Sequence, residues 1–457
     1  MPMFQLNFDD GAHGFFDSST TTFYTGAMQK LEIEKFLPVP KDNSNEESYT
    51  PEGVKKSLSP DFVRIVLGFK CNFHCKYCSQ SLADKDAGTS VDDAVAFAKR
   101  FCTTIKSEPR RIEFWGGEPL VYFKHLRAIF PILRERFPET VFAIITNGSL
   151  IRRDVLDLLV EFQVHTVISH DGPAQKEIRG EDFLDNPEKR QLWLSFYEAS
   201  KRFTRRGRNT PFGFTATMTR RNCDINAIVD YLHARFAPDV PVFCDVVTSM
   251  GGISSEAGYN ETAFTDESLK ELRRHGFKNL MRFLNLDGAG GSTGYATAAQ
   301  SLLSHAMHGA TSFGTSTCGA DGETKLFVKV DGSVMACQNT YVPAGKYGYI
   351  WDIGKVRVTG MTRIAQRESC RHCPFVSICK GACPLMRGND FADSCKVKRS
   401  FYLPAFVYVV NCTYKKRLTS IEGDFRYPVR DLVQTKHGRT EKTSKIVIDC
   451  YEETASV

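Results

Sequence analysis

From residue 61 to about 285 the hydrophobic pattern alternates between two periods. Short apolar, β-branched runs near 63–68, 111–115, 141–146, 165–169, 212–218 and 241–247 read as buried strands. Between them, apolar positions return at helical spacing near 90–105, 122–137, 151–162, 187–205 and 224–235. Ser90, ahead of Val91-Asp92-Asp93, is a good N-cap with acidic residues in the first turn, and Asp224 serves the last of these helices in the same way. Repeated strand–helix units of this length predict an α/β fold with a parallel sheet and helices outside. Six units predict an incomplete (β/α)6 barrel, open on one side. Parallel barrels place their chemistry at the C-terminal ends of the strands, so the residues just past each run carry the interest.

The flanking segments follow other patterns. Within residues 1–60, Phe4, Leu6 and Phe8 alternate with Gln5 and Asn7, and Thr20-Thr21-Thr22-Phe23-Tyr24 follows Gly11–Gly14. This predicts a hairpin or two edge strands covering one end of the barrel. Asp42–Ser48 is a polar linker. Residues 286–317 turn rich in Gly, Ser, Thr and Ala, with a helical piece around 297–308, and mark a domain boundary. The expected organisation is an N-terminal extension over 1–60, a barrel over 61–285, a linker over 286–317, a cysteine-rich domain over 318–412 and a tail over 413–457. The tail is polar and basic with one strand-like run, Lys445-Ile446-Val447-Ile448.

The first strand end reads Cys71-Asn72-Phe73-His74-Cys75-Lys76-Tyr77-Cys78. Three thiolates on one tight loop can hold three corners of a metal cluster. A 4Fe–4S cluster normally takes four Cys, so this loop leaves one iron open to a small molecule. A structural zinc site is the competing reading. Zinc usually takes four ligands in paired short spacings, no partner pair lies close in sequence, and C-x2-H-C through His74 is an odd zinc pattern. The spacing C-x3-C-x2-C, with Tyr77 just before the third Cys, resembles the signature of the radical SAM enzymes. The resemblance implies that Cys71, Cys75 and Cys78 hold a 4Fe–4S cluster whose open iron chelates S-adenosylmethionine. Reductive cleavage then yields methionine and a 5′-deoxyadenosyl radical that abstracts hydrogen from an unactivated C–H bond.

Two further strand ends extend the resemblance. Trp115-Gly116-Gly117-Glu118-Pro119 follows the second strand. Adjacent glycines let a backbone approach a ligand closely, and a Glu there can pair with an ammonium group. The stretch resembles the GGEP motif, which binds the amino group of S-adenosylmethionine. Ser169-His170-Asp171-Gly172-Pro173 follows the fourth strand, with Arg179 soon after. It is similar to the Ser-x-Asp-Gly-Pro stretch of the peptide-modifying branch, whose Ser and downstream Arg contact the cofactor's ribose and carboxylate. Here the Arg comes two residues early, without the usual His-Asp pair before it. Together with Tyr77, the implied cofactor contacts are Gly116, Gly117, Glu118, Ser169 and Arg179. Thr146-Asn147-Gly148 after the third strand reads as an ordinary turn, and the basic run Lys201–Arg208 as a solvated helix end.

A second cysteine field begins at Cys318 and Cys337, the latter in Gly332-Ser333-Val334-Met335-Ala336-Cys337, and continues through Cys370, Cys373, Cys379, Cys383 and Cys395. This ordered pattern resembles the SPASM domain, an appendage of radical SAM enzymes that mature peptides and proteins. The family arrangement implies one 4Fe–4S cluster on Cys370, Cys373, Cys379 and Cys395, and another on Cys318, Cys337 and Cys383. Thr324 stands where many relatives have a further Cys, so the inner cluster keeps an open iron or Cys412 closes it; the open site is the expectation. A zinc ribbon would also use C-x2-C and C-x3-C pairs, but the loop at 71–78 argues for iron and sulfur. Cys102, Cys223, Cys244 and Cys450 fall in no pattern and read as small buried hydrophobes.

Composition narrows the class. Fifteen cysteines clustered in short-spaced groups point to metal in a reducing cytoplasm rather than to disulfides. A net charge of +6 is too mild to argue for nucleic acid, and no apolar run is long enough to span a membrane. Three functions compete: a radical peptide maturase, an anaerobic sulfatase-maturing enzyme, and a non-catalytic iron–sulfur or zinc module. Sulfatase maturases carry an Asp base directly after the Cys of the G-x4-C element, whereas this chain has Gln338 there, and an amide is no general base. Peptide maturation leads. Its expected partners are a peptide or protein substrate and an electron donor such as flavodoxin or ferredoxin. Sixty residues are too few for a winged-helix leader-binding domain, so a leader would pair with an exposed strand edge or arrive on a separate protein.

Overall fold

A computed structural model describes residues 3–34, 53–83, 89–209, 212–248, 257–285, 294–308, 315–339, 346–428 and 440–448. The Asp42–Ser48 linker, residues 286–293 and 309–314, and Cys450 lie outside them. Six core strands run over Phe62–Val66, Arg111–Trp115, Val141–Thr146, His165–Ser169, Gly213–Met218 and Val242–Val246. They pair in chain order and all in parallel, with Val63 opposite Ile112, Ile112 opposite Phe142, Ile144 opposite Thr166, and Phe214 between Ile168 and Val242.

Helices Val91–Thr104, Phe123–Arg136, Arg153–Glu161, Pro187–Ser200 and Ile225–Arg235 connect successive strands. Alternate strand residues such as Val63, Ile65, Ile112, Phe114, Ile144 and Phe214 are buried beneath them. The other face carries a charged cluster. Arg64 pairs with Glu113, and Arg111 reaches the same carboxylate at 3.2 Å. Ser90 forms the predicted cap, Oγ accepting from Asp93 N at 3.1 Å while the Asp93 carboxylate accepts from Ser90 N at 3.3 Å. The fourth helix ends at Ser200. The basic run beyond it forms a two-residue hairpin, Thr204–Arg205 with Arg208–Asn209, about Arg206 and Gly207, both at positive φ.

Among the described residues the sheet does not close into a barrel. The outer edge of the first core strand is taken by Lys325–Lys329, which pairs with it in parallel, Leu326 opposite Val63. Ser333–Met335 and Lys346–Tyr349 then continue the sheet in antiparallel fashion to nine strands. The cysteine-rich segment is thus built onto the same sheet as the first cysteine loop.

The N-terminal pairing expected over a barrel end is built into a different sheet. Met3–Phe8, His13–Asp17 and Thr22–Tyr24 join Leu418–Pro428 and Thr440–Val447 in five strands. This sheet packs on the helix Gly388–Tyr414 through Phe16 against Phe406, and Tyr414 Oη donates to Phe15 O (3.1 Å) and Tyr24 O (2.7 Å). Two of its strands contain glycines that resemble breaks. A Cβ on Gly14 would lie 2.5 Å from the Tyr414 ring, and one on Gly423 2.5 Å from the Phe4 ring, so both mark close approaches inside a strand.

Candidate functional site

The first cysteine loop has no regular structure through Cys75 and is fixed by its neighbours. Leu67 N still donates to Trp115 O at 2.8 Å as the chain leaves the first core strand. Lys70 N then donates to Tyr122 Oη (2.8 Å) and Lys76 N to Ile178 O (3.1 Å). Asn72 accepts from Asn147 Nδ2 (2.9 Å) and donates to Ser149 Oγ (2.8 Å). The turn read as ordinary after the third strand therefore clamps the loop. Cys71, Cys75 and Cys78 line one cavity, and Tyr77, Gly116, Gly117, Glu118, Ser169 and Arg179 share it.

The glycines serve this assembly differently from the sequence expectation. A Cβ on Gly117 would lie 2.5 Å from the carbonyl oxygens of Phe69 and Lys70, and one on Gly116 2.8 Å from Gly68 O. The two strand-end loops cross at backbone contact, Gly117 N donating to Gly68 O (3.1 Å) and Glu118 N to Lys70 O (2.9 Å). Glu118 is 1% exposed. Its carboxylate accepts from Thr146 Oγ1 (2.6 Å), Asn147 N (2.7 Å) and Leu120 N (3.0 Å). Burial raises its pKa, and these neutral donors oppose that rise. A buried carboxylate with neutral partners presents negative charge to the cavity, which fits an ammonium group.

Asp171 organises the opposite wall, a role the sequence reading did not assign. Its carboxylate accepts from Arg179 Nε (2.8 Å) and Nη2 (3.2 Å), Tyr77 Oη (2.7 Å) and Thr217 N (3.0 Å). The guanidinium is thereby held with Nη1 3.8 Å from Cys75 Sγ. Burial pushes the Cys75 thiol up to about 12, and Arg179 draws it down. Tyr77 and Arg179 thus bond first to Asp171, and the shortened spacing to Arg179 still brings it to the cavity. Ser169 lies on the wall, opposite Thr215 in the sheet. His170 is buried away from this chemistry, its Nε2 against Asp182 Oδ1 at 2.9 Å.

The cysteines of the second field fall into two neighbourhoods. Cys370, Cys373, Cys379 and Cys395 line one small cavity. Cys318, Cys337 and Cys383 lie close enough for charge on each to bear on the others. Among the described residues no three His, Cys, Asp or Glu side chains close on the spacing of a single metal ion. The hydrogen bonds at sulfur fit iron–sulfur ligation. Phe73 N donates to Cys71 Sγ and Asn339 N to Cys337 Sγ, both at 3.4 Å. The same two-residue step brings the N–H groups of Phe375, Gly381 and Leu385 to Cys373, Cys379 and Cys383. Such bonds favour thiolate, the form a cluster binds.

Left as free thiols, these groups would be neutral. Burial raises Cys337 to about 12 and Cys383 and Cys395 to about 11, with Cys370 and Cys373 also raised. Burial raises Cys102, Cys223, Cys244 and Cys412 as well, and two of these have partners outside any cysteine group. Cys102 donates to Ile132 O at 3.8 Å, and Cys412, near the end of the Gly388–Tyr414 helix, bonds with Tyr408.

Gln80 lies beside both fields and bonds to the second strand end. Its amide oxygen accepts from Trp115 Nε1 (3.1 Å) and its NH2 donates to Gly116 O (2.9 Å), with the Asn339 side chain 3.2 Å away. Asn72, Gln80 and Asn147 are amides with nothing in their type to mark them in sequence, and Asp171 was legible only as part of the Ser169–Pro173 stretch.

Residues 65–222 match the family model of the radical SAM superfamily. The radical SAM cyclopropyl synthase TigE of Paramaledivibacter caminithermalis is 21% identical over 346 residues, covering 70% of this chain and 67% of that protein. GTP 3′,8-cyclase of Chlorobaculum tepidum is 34% identical over 101 residues, 22% of this chain and 29% of the cyclase. The solved structure of native anSMEcpe with bound AdoMet superposes with a TM-score of 0.57 at 17% identity, covering 77% of this chain and 99% of that one. The same protein with bound AdoMet and Cp18Cys peptide gives 0.56 at 18% identity, covering 78% and 99%. At these identities the structural likeness is one of fold.

Proposed function

With a radical SAM domain at residues 65–222 as the premise, we propose that the protein is a peptide maturase that removes hydrogen from a ribosomally made peptide to install a modification such as a cross-link. The observation that carries this reading is the mounting of the second cysteine field on the sheet of the first, through Lys325–Lys329. A substrate between the two fields faces both the cofactor cavity and the Cys318–Cys337–Cys383 group. The fold shared with anSMEcpe, whose structure holds a peptide, supports a substrate of that kind.

The cluster and S-adenosylmethionine, when bound, supply a 5′-deoxyadenosyl radical as the hydrogen-abstracting species. Cys71, Cys75 and Cys78 hold that cluster. Glu118 takes the cofactor's ammonium group, and Ser169 and Arg179 its ribose and carboxylate, with Asp171 fixing Arg179. Cys370, Cys373, Cys379 and Cys395 hold an outer auxiliary cluster. Cys318, Cys337 and Cys383 hold an inner one, with an open corner for a substrate thiolate or amide. The electron comes from a flavodoxin- or ferredoxin-like donor in the cytoplasm.

The sulfatase-maturing alternative has less support. Gln338, in the position of its base, accepts from Cys337 Sγ through its own Oε1 (3.4 Å) and has no proton-accepting pKa in the useful range. Anaerobic co-expression with a short reading frame adjacent to the gene, followed by mass spectrometry, tests the proposal. A peptide lighter by two hydrogens supports it, whereas formylglycine on a sulfatase-derived peptide would establish the alternative.

A further inference from the structure

The proposed clusters account for a buried cation that has no charged hydrogen-bond partner among the described residues. Arg367 precedes Cys370 by one helical turn and is 6% exposed. Its guanidinium donates to backbone carbonyls on the loop that carries Cys379 and Cys383: Nη1 to Gly381 O, and Nη2 to Cys383 O (2.9 Å) and Met386 O (2.8 Å). One face stacks on Phe391, 4.1 Å from the ring centroid. These partners are all uncharged. The groups whose charge bears on it most are Cys370, Cys383, Cys379 and Cys395, which span both auxiliary sets.

An Arg side chain does not shed its proton in proteins, and a buried charge without a counter-charge is costly. Neutral thiols supply no counter-charge. Cluster-bound thiolates do, and from two directions. The neighbouring cations are arranged differently. Lys398 is paired with Asp245 at 2.6 Å and bears on Cys379 alone, and Arg399, over the Tyr427 ring, bears on Cys373 and Cys395, all of the outer set.

We infer that Arg367 is the shared counter-cation of the two auxiliary iron–sulfur sites, a positioning residue that holds the Cys379–Cys383 loop and raises the reduction potential of both. The inference rests on the auxiliary-cluster reading above. Reduction adds negative charge to a cluster, and a fixed cation beside it stabilises the reduced form. Removing the cation therefore lowers the potential.

The test uses full-length protein reconstituted anaerobically with iron and sulfide, in a background with Cys71, Cys75 and Cys78 changed to Ala so that only auxiliary signals remain. About eight irons per chain establish that both auxiliary sites fill; a background without iron overturns the cluster reading, and the inference with it. Arg367→Gln is then titrated with dithionite and followed by electron paramagnetic resonance. At the midpoint potential of the background protein, its reduced-to-oxidised ratio should fall about tenfold at both sites, equivalent to about 59 mV for one electron. Arg367→Lys, which keeps the charge, should shift by less than half as much, and Arg399→Gln should move the outer signal alone. Unchanged potentials in Arg367→Gln, or an equal shift in Arg367→Lys, would overturn the inference. Should Arg367→Gln lose its iron, the Lys variant decides: iron and potential retained support a charge role, and iron lost in both shows that the carbonyl bonds matter instead.

Discussion

Glu118→Gln isolates what one negative charge does in the cofactor cavity. The replacement keeps shape and, through Oε1, can keep the bonds from Thr146 Oγ1 and Leu120 N. Its new NH2 group must then face Asn147 N, donor against donor, where Glu118 Oε2 now accepts at 2.7 Å. That orphaned N–H costs about 1–3 kcal/mol of protein stability. On the ligand side, loss of a charge-assisted bond to an ammonium group costs about 1.5–3 kcal/mol, or about 10- to 150-fold in Kd. Anaerobic equilibrium dialysis of reconstituted protein with S-adenosylmethionine measures the second quantity, and iron content checks that the cluster is intact. Thr146→Val is the control. It removes a donor and keeps the charge, so its Kd should rise by no more than about fivefold, the equivalent of one ordinary hydrogen bond. Because burial raises the Glu118 pKa, wild-type binding should weaken with falling pH sooner than an ordinary carboxylate would allow. Wild-type affinity in Glu118→Gln, with only a lowered melting temperature, would reduce Glu118 to a cap on the turn Pro119–Tyr122 and refute the reasoning.

Three further outcomes follow from the same geometry. Wild-type protein should bind about twelve irons per chain, and replacing Cys71, Cys75 and Cys78 by Ala should leave about eight and abolish cleavage of S-adenosylmethionine; iron analysis showing no difference would remove the loop from the ligand set. Cys412→Ala should retain iron and activity, since its thiol bonds with Tyr408, and a clear loss of iron would place it on the inner cluster. Burial opposes ionisation of Asp182, yet bonds from His170, Tyr231 and Leu184 N hold its pKa at about 2, against 3.8 unfolded. Its contribution of about 2 kcal/mol is present in full above pH ~4 and lost as pH falls through the folded pKa. The urea midpoint of Asp182→Asn apoprotein should therefore lie below wild type at pH 7 and approach it between pH 4 and 2.

The barrel strands were legible because their chemistry is local. Residues 111–115, 141–146 and 165–169 emerge at the predicted bounds, each an apolar run whose buried face is visible in one dimension. The strands that sequence reading missed are those whose glycines answer to a distant partner. Gly14 makes room for Tyr414 and Gly423 for Phe4, contacts about four hundred positions apart in the chain. Lys325–Lys329 was hidden by its lysines, which suit a short loop as well as a strand. At the site, cysteine spacing marked the candidate ligands, but the residues that hold them in place did not announce themselves. Asp171 sits inside a recognised stretch, and its function becomes visible only when Tyr77 and Arg179 converge on it.

The shared sheet changes what the linker before Cys318 can control. Lys325–Lys329 pairs with the first core strand over its full length, and Val330 N extends the contact to Val66 O at 3.3 Å. That strand runs directly into the Cys71 loop, while its partner leads through Ser333–Met335 to Cys337. The two fields are therefore separated by a fixed path of backbone hydrogen bonds. Radical abstraction depends steeply on placement, since reacting atoms must meet at near-attack distance and small displacements cost large factors in rate. A substrate anchored at the inner group would inherit its distance to the cofactor from the sheet register. Selectivity then falls to the residues lining the space between the fields, and a one-residue change of register at Leu326 and Val63 would disturb chemistry more than a longer linker.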